Sequence, residues 1–169
     1  RLPPYMRTRV GIGRTFQTER PFEELTLLEN VLVAAFLKEP KRKKAEQLAM
    51  DVLEKVGLAD RYDQPALDLN LARRRRLELA KALAVQPSVL FLDEMMAGLN
   101  PPALKEMIEF VRRLTDQNLT IVMVEHIMEA IIELSDHVIV MANGSVIPEG
   151  LPRDVIEDQR VITAYLGED

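Results

Sequence analysis

The segment that most limits the fold is Ser88-Val89-Leu90-Phe91-Leu92-Asp93-Glu94, in which an apolar run leads into two adjacent acids. Such a run, rich in Val, Leu and Phe, reads as a strand buried on both faces of a parallel sheet. Carboxylates at the end of a buried strand are costly to desolvate unless they face a cleft. In open α/β sheets, the carboxyl ends of the strands are where ligands bind. An acid there suits a magnesium ion, and its neighbour suits a water that must be oriented or deprotonated. The segment therefore points to a nucleotide-hydrolysing site. The alternative is a strand that ends in a solvated acidic turn.

Composition narrows the class. With 169 residues, 47% hydrophobic and 29% charged, the chain has the make-up of an ordinary globular domain with a real core. Its longest apolar run, Val31 to Leu37, is far too short to cross a bilayer. Arg1-Leu2-Pro3-Pro4 is followed by no apolar core of the signal-peptide kind, and cysteine is absent, which fits a cytosolic protein. A net charge of −5 argues against a dedicated nucleic-acid binder. No G-x-x-x-x-G-K-[ST] loop occurs, and the glycine pair Gly11 and Gly13 has no Lys-Ser or Lys-Thr after it.

The pattern along the chain changes at Pro87. Before it, a short strand is expected over Ile12–Phe16, then a polar loop over Thr18–Glu24. Thr26 with Glu29 forms a capping box that opens a helix. A second helix carries Ala45, Leu48, Ala49, Val52, Leu53 and Val56 at helical spacing and stops at Gly57. Asn70 caps a third, from Leu71 to Ala84. After Pro87, strand and helix alternate. Val89–Leu92 is a strand, and Asn100 and Pro101 open a helix. Leu119–Val124 is a strand, Ile127–Leu134 a helix and His137–Met141 a strand. An Asn143-Gly144 hairpin turn leads to strand Ser145–Ile147, and short helices fill Pro152–Leu166. Strand–helix–strand–helix–strand implies right-handed crossovers and one parallel sheet.

Four features fall in order: Phe16-Gln17, the arginine-rich helix start at 69–84, Leu90–Glu94, and Val122-Met123-Val124-Glu125-His126. At this point the chain resembles the ATP-binding subunits of ABC transporters, and among them the branched-chain amino-acid importer type. Arg14-Thr15-Phe16-Gln17 resembles the family's Q-loop, Leu69–Ala84 its signature region, and Leu90–Glu94 its Walker B strand. Ala97-Gly98-Leu99-Asn100-Pro101 resembles the D-loop, Glu125-His126 the switch histidine, and Ala164–Asp169 the tail. The resemblance implies a partial P-loop NTPase core of α/β class with parallel strands, plus a helical subdomain. The expected division is 1–19, the end of an N-terminal core with the Q-loop; 20–86, the helical subdomain; 87–150, half of a RecA-like core; and 151–169, a helical tail.

The resemblance also implies roles. Asp93 would hold magnesium, with Gln17 reaching the same ion or the attacking water. Glu94 would be the general base, and His126 would contact the γ-phosphate of ATP. Asn70, Ala72, Arg73, Gly98 and Asn100 occupy signature and D-loop positions that meet nucleotide across a nucleotide-sandwich dimer. The implied partners are a second ATPase subunit and transmembrane permease subunits, with no nucleic acid. The implied location is cytoplasmic, peripheral on the inner face of the cell membrane.

Several positions depart from the family pattern. The family's Walker A loop falls before Arg1, so the chain by itself is expected neither to bind ATP tightly nor to hydrolyse it. The Leu-Ser-x-Gly-Gln signature reads Leu69, Asn70, Leu71, Ala72, Arg73, and Met95 stands where a proline is usual after the glutamate. A non-catalytic module that docks on a permease is therefore the alternative function. A nucleic-acid role for Arg73–Arg76 is disfavoured, because four successive arginines point all round a helix. His137 and Met95-Met96 are read as structural.

Overall fold

A computed structural model of the protein describes residues 2–117 and 119–166. It divides into two compact units, one ending at Val124 and the other starting at Glu125.

The first unit is built around three helices. α2 (Leu27–Ala35) starts where the sequence predicts. Thr26 Oγ1 accepts from the Glu29 amide at 3.1 Å, and the Glu29 carboxylate accepts from the Thr26 amide at 2.9 Å. These bonds hold the Glu29 carboxyl below the usual carboxylate range. α3 (Arg42–Lys55) ends at Val56, with Gly57 in the left-handed region at φ +70°. α4 (Leu71–Ala84) is capped by Asn70, whose Oδ1 accepts from the Arg73 amide at 3.0 Å. Their apolar faces share one core, with Leu27, Val31, Ala49, Leu53, Leu77 and Ala80 fully buried. Between α3 and α4 lie two single 3₁₀ turns, Ala59–Arg61 and Ala66–Asp68.

One element was not legible in the sequence: α1 (Pro4–Arg9), with its prolines at and just before the helix start. It leads into β1, which is Ile12–Arg14 rather than Ile12–Phe16. β1 pairs in parallel with β2 (Val89–Asp93), and β2 with β3 (Thr120–Val124), giving sheet order β1-β2-β3. α5 (Pro101–Thr115) is the crossover between β2 and β3. Gly13 lets β1 pass close beneath the end of α4. A Cβ there would lie 3.0 Å from both the Ala82 carbonyl oxygen and the Pro87 ring. This close packing accounts for a glycine that is no part of a phosphate loop.

The sheet corrects two expectations. β2 is not buried on both faces: Leu90 and Leu92 are buried, but Phe91 is 38% exposed. On β3, Val122 and Val124 are exposed at 44% and 59%. Side chains alternate across a strand, so a continuous apolar run is fully buried only where both faces are covered. Nor do the later strands extend the parallel sheet. Among the described residues of the second unit, β4 (Val138–Ala142) and β5 (Ser145–Gly150) pair with each other alone, antiparallel, through an Asn143-Gly144 turn with both residues at positive φ. A turn of two residues makes these strands antiparallel neighbours. α6 (Met128–Leu134) precedes the hairpin, and α7 (Pro152–Ile156) and α8 (Gln159–Leu166) follow it. The tail match at Gly167-Glu168-Asp169 lies outside the described residues. Among the described residues, no helix is long and apolar enough to cross a membrane.

Thr26→Ala removes one arm of the capping box and is expected to cost about 1 kcal/mol, read as a lower urea midpoint with unchanged slope. The contribution of Glu29 is present above the ordinary carboxylate range and is lost on acidification, because its folded form holds its proton less tightly.

Candidate functional site

The ends of β1 and β2 are joined residue by residue. The Thr15 amide extends the ladder by donating to the Phe91 carbonyl at 2.9 Å. The Thr15 hydroxyl, fully buried, accepts from the Asp93 amide at 3.2 Å. Arg14 Nη2 meets Asp93 Oδ2 at 3.0 Å, and the same guanidinium lies 5.1 Å over the Phe16 ring. Gln17 Nε2 donates to Glu94 Oε2 at 2.8 Å. The two strand tips thus bring Gln17, Asp93 and Glu94 together, as the sequence suggested. They also bring Arg14, whose role the sequence did not flag.

Glu94 has a left-handed backbone, φ +47°, although it is not glycine. Its amide is satisfied by the Val124 carbonyl at 2.9 Å, which continues the β2–β3 ladder past the last paired residue. A strained backbone at a carboxylate on a strand tip is a common mark of a working position. Behind it, Met95 and Met96 are buried and anchor the turn. That supports the reading of the two methionines as packing residues.

The signature positions open α4, and the D-loop glycine packs against that start. Gly98 turns at φ +76°, and a Cβ on it would lie 3.3 Å from Leu71 Cδ2. Asn100 caps α5, its Oδ1 accepting from the Ala103 amide at 3.0 Å. Asn70 spends its Oδ1 on the Arg73 amide, and Ala72 places a Cβ on the first turn. Arg73 makes no side-chain hydrogen bond or ion pair among the described residues. The other three arginines of the run each fasten a different segment. Arg74 donates to the Leu69 and Leu67 carbonyls at 3.1 Å. Arg75 donates to the Gln17 carbonyl at 2.9 Å. Arg76 donates to the Val56 carbonyl at 3.4 Å and pairs with Glu106. The run is thus mostly internal fastening, not a basic patch. Glu125 and His126 open the second unit, and His126 is exposed. His137 is also exposed and takes no part in these clusters.

The ABC transporter family pattern matches residues 3–97, more than half of the chain. The chain belongs to the ABC transporter family. It is 37% identical to the high-affinity branched-chain amino acid transport ATP-binding protein LivG of Escherichia coli K12, over 99% of this chain and 72% of that protein. The BraF protein of the same description from Pseudomonas aeruginosa is 34% identical over the same shares. Among solved structures, a nucleotide-free ATP-binding cassette from an ABC transporter superposes with a TM-score of 0.87 at 30% identity, covering 99% of this chain and 73% of that one. The ADP conformation of an ATP-binding cassette of an ABC transporter gives 0.86 at 28% identity over 99% and 72%. These likenesses agree with the expected fold: parallel strands of an ABC ATPase core with helices attached.

The geometry tests whether a divalent cation suits the acids. Their oxygens are the hard donors that magnesium prefers, and a guanidinium already sits against Asp93 as a stand-in cation. Among the described residues no group of three or more acidic or histidine side chains is placed to hold a metal, so an ion here would take most of its ligands from phosphate and water, and Arg14 competes for the same carboxylate. Arg14→Gln is expected to tighten Mn²⁺ binding about ten-fold, since a unit positive charge about 5 Å from a divalent ion is removed. Water-proton relaxation measures this, and Arg14→Gln/Asp93→Asn should lose the gain.

Proposed function

We propose that this chain forms part of an ATP-binding and ATP-hydrolysing subunit of an importer for branched-chain amino acids. The observation that carries the reading is the convergence of Gln17, Asp93 and Glu94 at the tips of two parallel strands. In this reading Asp93 is the carboxylate that binds magnesium with ATP. Bound there, the ion offsets the negative charge of the phosphates. Glu94 accepts the proton of the attacking water, at a strand tip where its backbone is left-handed. Gln17 holds the Glu94 carboxylate through its amide nitrogen and leaves its amide oxygen for the water or the ion. His126, just beyond β3, contacts the γ-phosphate.

The α4 start and the D-loop meet the nucleotide of a second ATPase subunit in the same proposal. Asn70, Ala72, Arg73, Gly98 and Asn100 lie on that surface. Ala72 makes it a weaker anion site than a glycine would, because its Cβ leaves the backbone less bare. The helical part, about 20–86, faces permease subunits, and the protein works at the inner face of the membrane. ATP affinity depends on a phosphate cradle, and this sequence holds no G-x-x-x-x-G-K-[ST] loop.

The test joins this chain to the residues of the Escherichia coli relative that lie outside the matched region. The chimera is expected to release phosphate from ATP, and the chain alone to show no micromolar ATP affinity. Glu94→Gln should lower turnover by at least 100-fold with ATP binding kept, as expected for loss of a general base. Full turnover in that variant would refute the assignment, and micromolar ATP binding by the chain alone would refute the need for the cradle.

A further inference from the structure

We infer that Arg75 is a positioning residue for Gln17, holding the backbone from which the Gln17 carboxamide reaches Glu94. The inference rests on the reading above for the importance of Gln17, and on separate geometry for Arg75. The Arg75 side chain is 8% exposed. Its Nη1 donates to the Gln17 carbonyl at 2.9 Å, and its Nε lies 2.7 Å from Glu19 Oε1. The second contact is a close ion pair rather than an aligned hydrogen bond. Glu19 is itself only 15% exposed.

Stability alone is a poor reason for this arrangement. Withdrawing a carboxylate and a guanidinium from water costs several kcal/mol per ion, and a well-packed apolar pair often does as well. What the pair supplies is direction. From Gln17 to Leu25 the chain has no regular structure of its own and must be fixed from outside. Its far end is fixed by the fully buried Asn30, which accepts from the Phe22 amide at 2.8 Å and donates to the Phe22, Leu25 and Thr26 carbonyls. Its middle is held by Lys81, whose Nζ donates to the Arg20 carbonyl at 3.1 Å. Its near end is held by Arg75 alone among these α4 side chains. On its other side Gln17 follows Arg14 and Thr15, which are bonded to β2. The glutamine therefore sits between a strand tip and α4, and Arg75 sets the α4 side. This also gives a use to the most buried member of the arginine run.

The test is solution NMR of the ¹⁵N-labelled chain, with the Gln17 side-chain amide assigned by its loss in Gln17→Ala. Arg75→Met keeps much of the buried volume and removes the donors. We expect it to fold and to move the Gln17 side-chain amide to the position of a free glutamine. Arg75→Lys should restore part of the shift, since an ammonium can still donate to the Gln17 carbonyl. The isosteric Glu19→Gln should move the same resonance in the same direction if Arg75→Met fails to fold. An unmoved Gln17 amide in a folded Arg75→Met or Glu19→Gln chain overturns the inference. These readouts need no ATP. A failed hydrolysis assay with shifted amides would count against the function alone, and intact hydrolysis with unmoved amides against Arg75 alone.

Discussion

The site depends on the parallel pairing of β1 with β2. Their register sets Arg14 opposite Phe91, so the chain leaving β1 runs alongside Asp93 and Glu94. Every contact at the site follows from that alignment. Thr15 ties down the backbone of Asp93, Arg14 neutralises its carboxylate, and Gln17 takes up Glu94. Strand side chains alternate with a period of two, so a slip of one residue would turn each pair away from its partner. Gly13 guards that register, because only a bare backbone passes the end of α4 so closely.

The helices serve the same point from the other side. Their shared core of small and branched residues makes α2, α3 and α4 one body. From that body Arg75, Lys81 and Asn30 reach out to the loop after Gln17. Polar side chains buried in this way cost free energy unless their hydrogen bonds are made, so the loop has little freedom to sit elsewhere. Asp93 pairs with Arg14 and Glu94 accepts from Gln17, so both acids have partners within the chain.

Much of this was legible in the sequence because the signals were local. Capping residues at Thr26, Asn70 and Asn100, the stop at Gly57 and the turn at Asn143-Gly144 each act within a few residues, and each stands where it was read. The acids and Gln17 were legible as a set through the family's ordered motifs. What was not legible depended on partners far apart in the chain. The Arg14–Asp93 and Arg75–Glu19 pairs join residues whose spacing carries no period. The Val, Leu and Phe run of β2 suggested two covered faces, whereas the exposure of Phe91 shows that apolar composition does not state which face is covered. The strand at Val138 was expected in the parallel sheet from the order of strands and helices, and among the described residues it pairs with β5 instead.

The central claim is that Gln17 and Glu94 act as one unit at the strand tips. A double-mutant cycle read in the phosphate-release rate of the chimera tests it most directly, with Gln17→Ala, Glu94→Ala and the pair together. The account predicts strong coupling, so that the double variant is about as slow as Glu94→Ala alone. Single effects that multiply in the double variant would show two independent residues and contradict it.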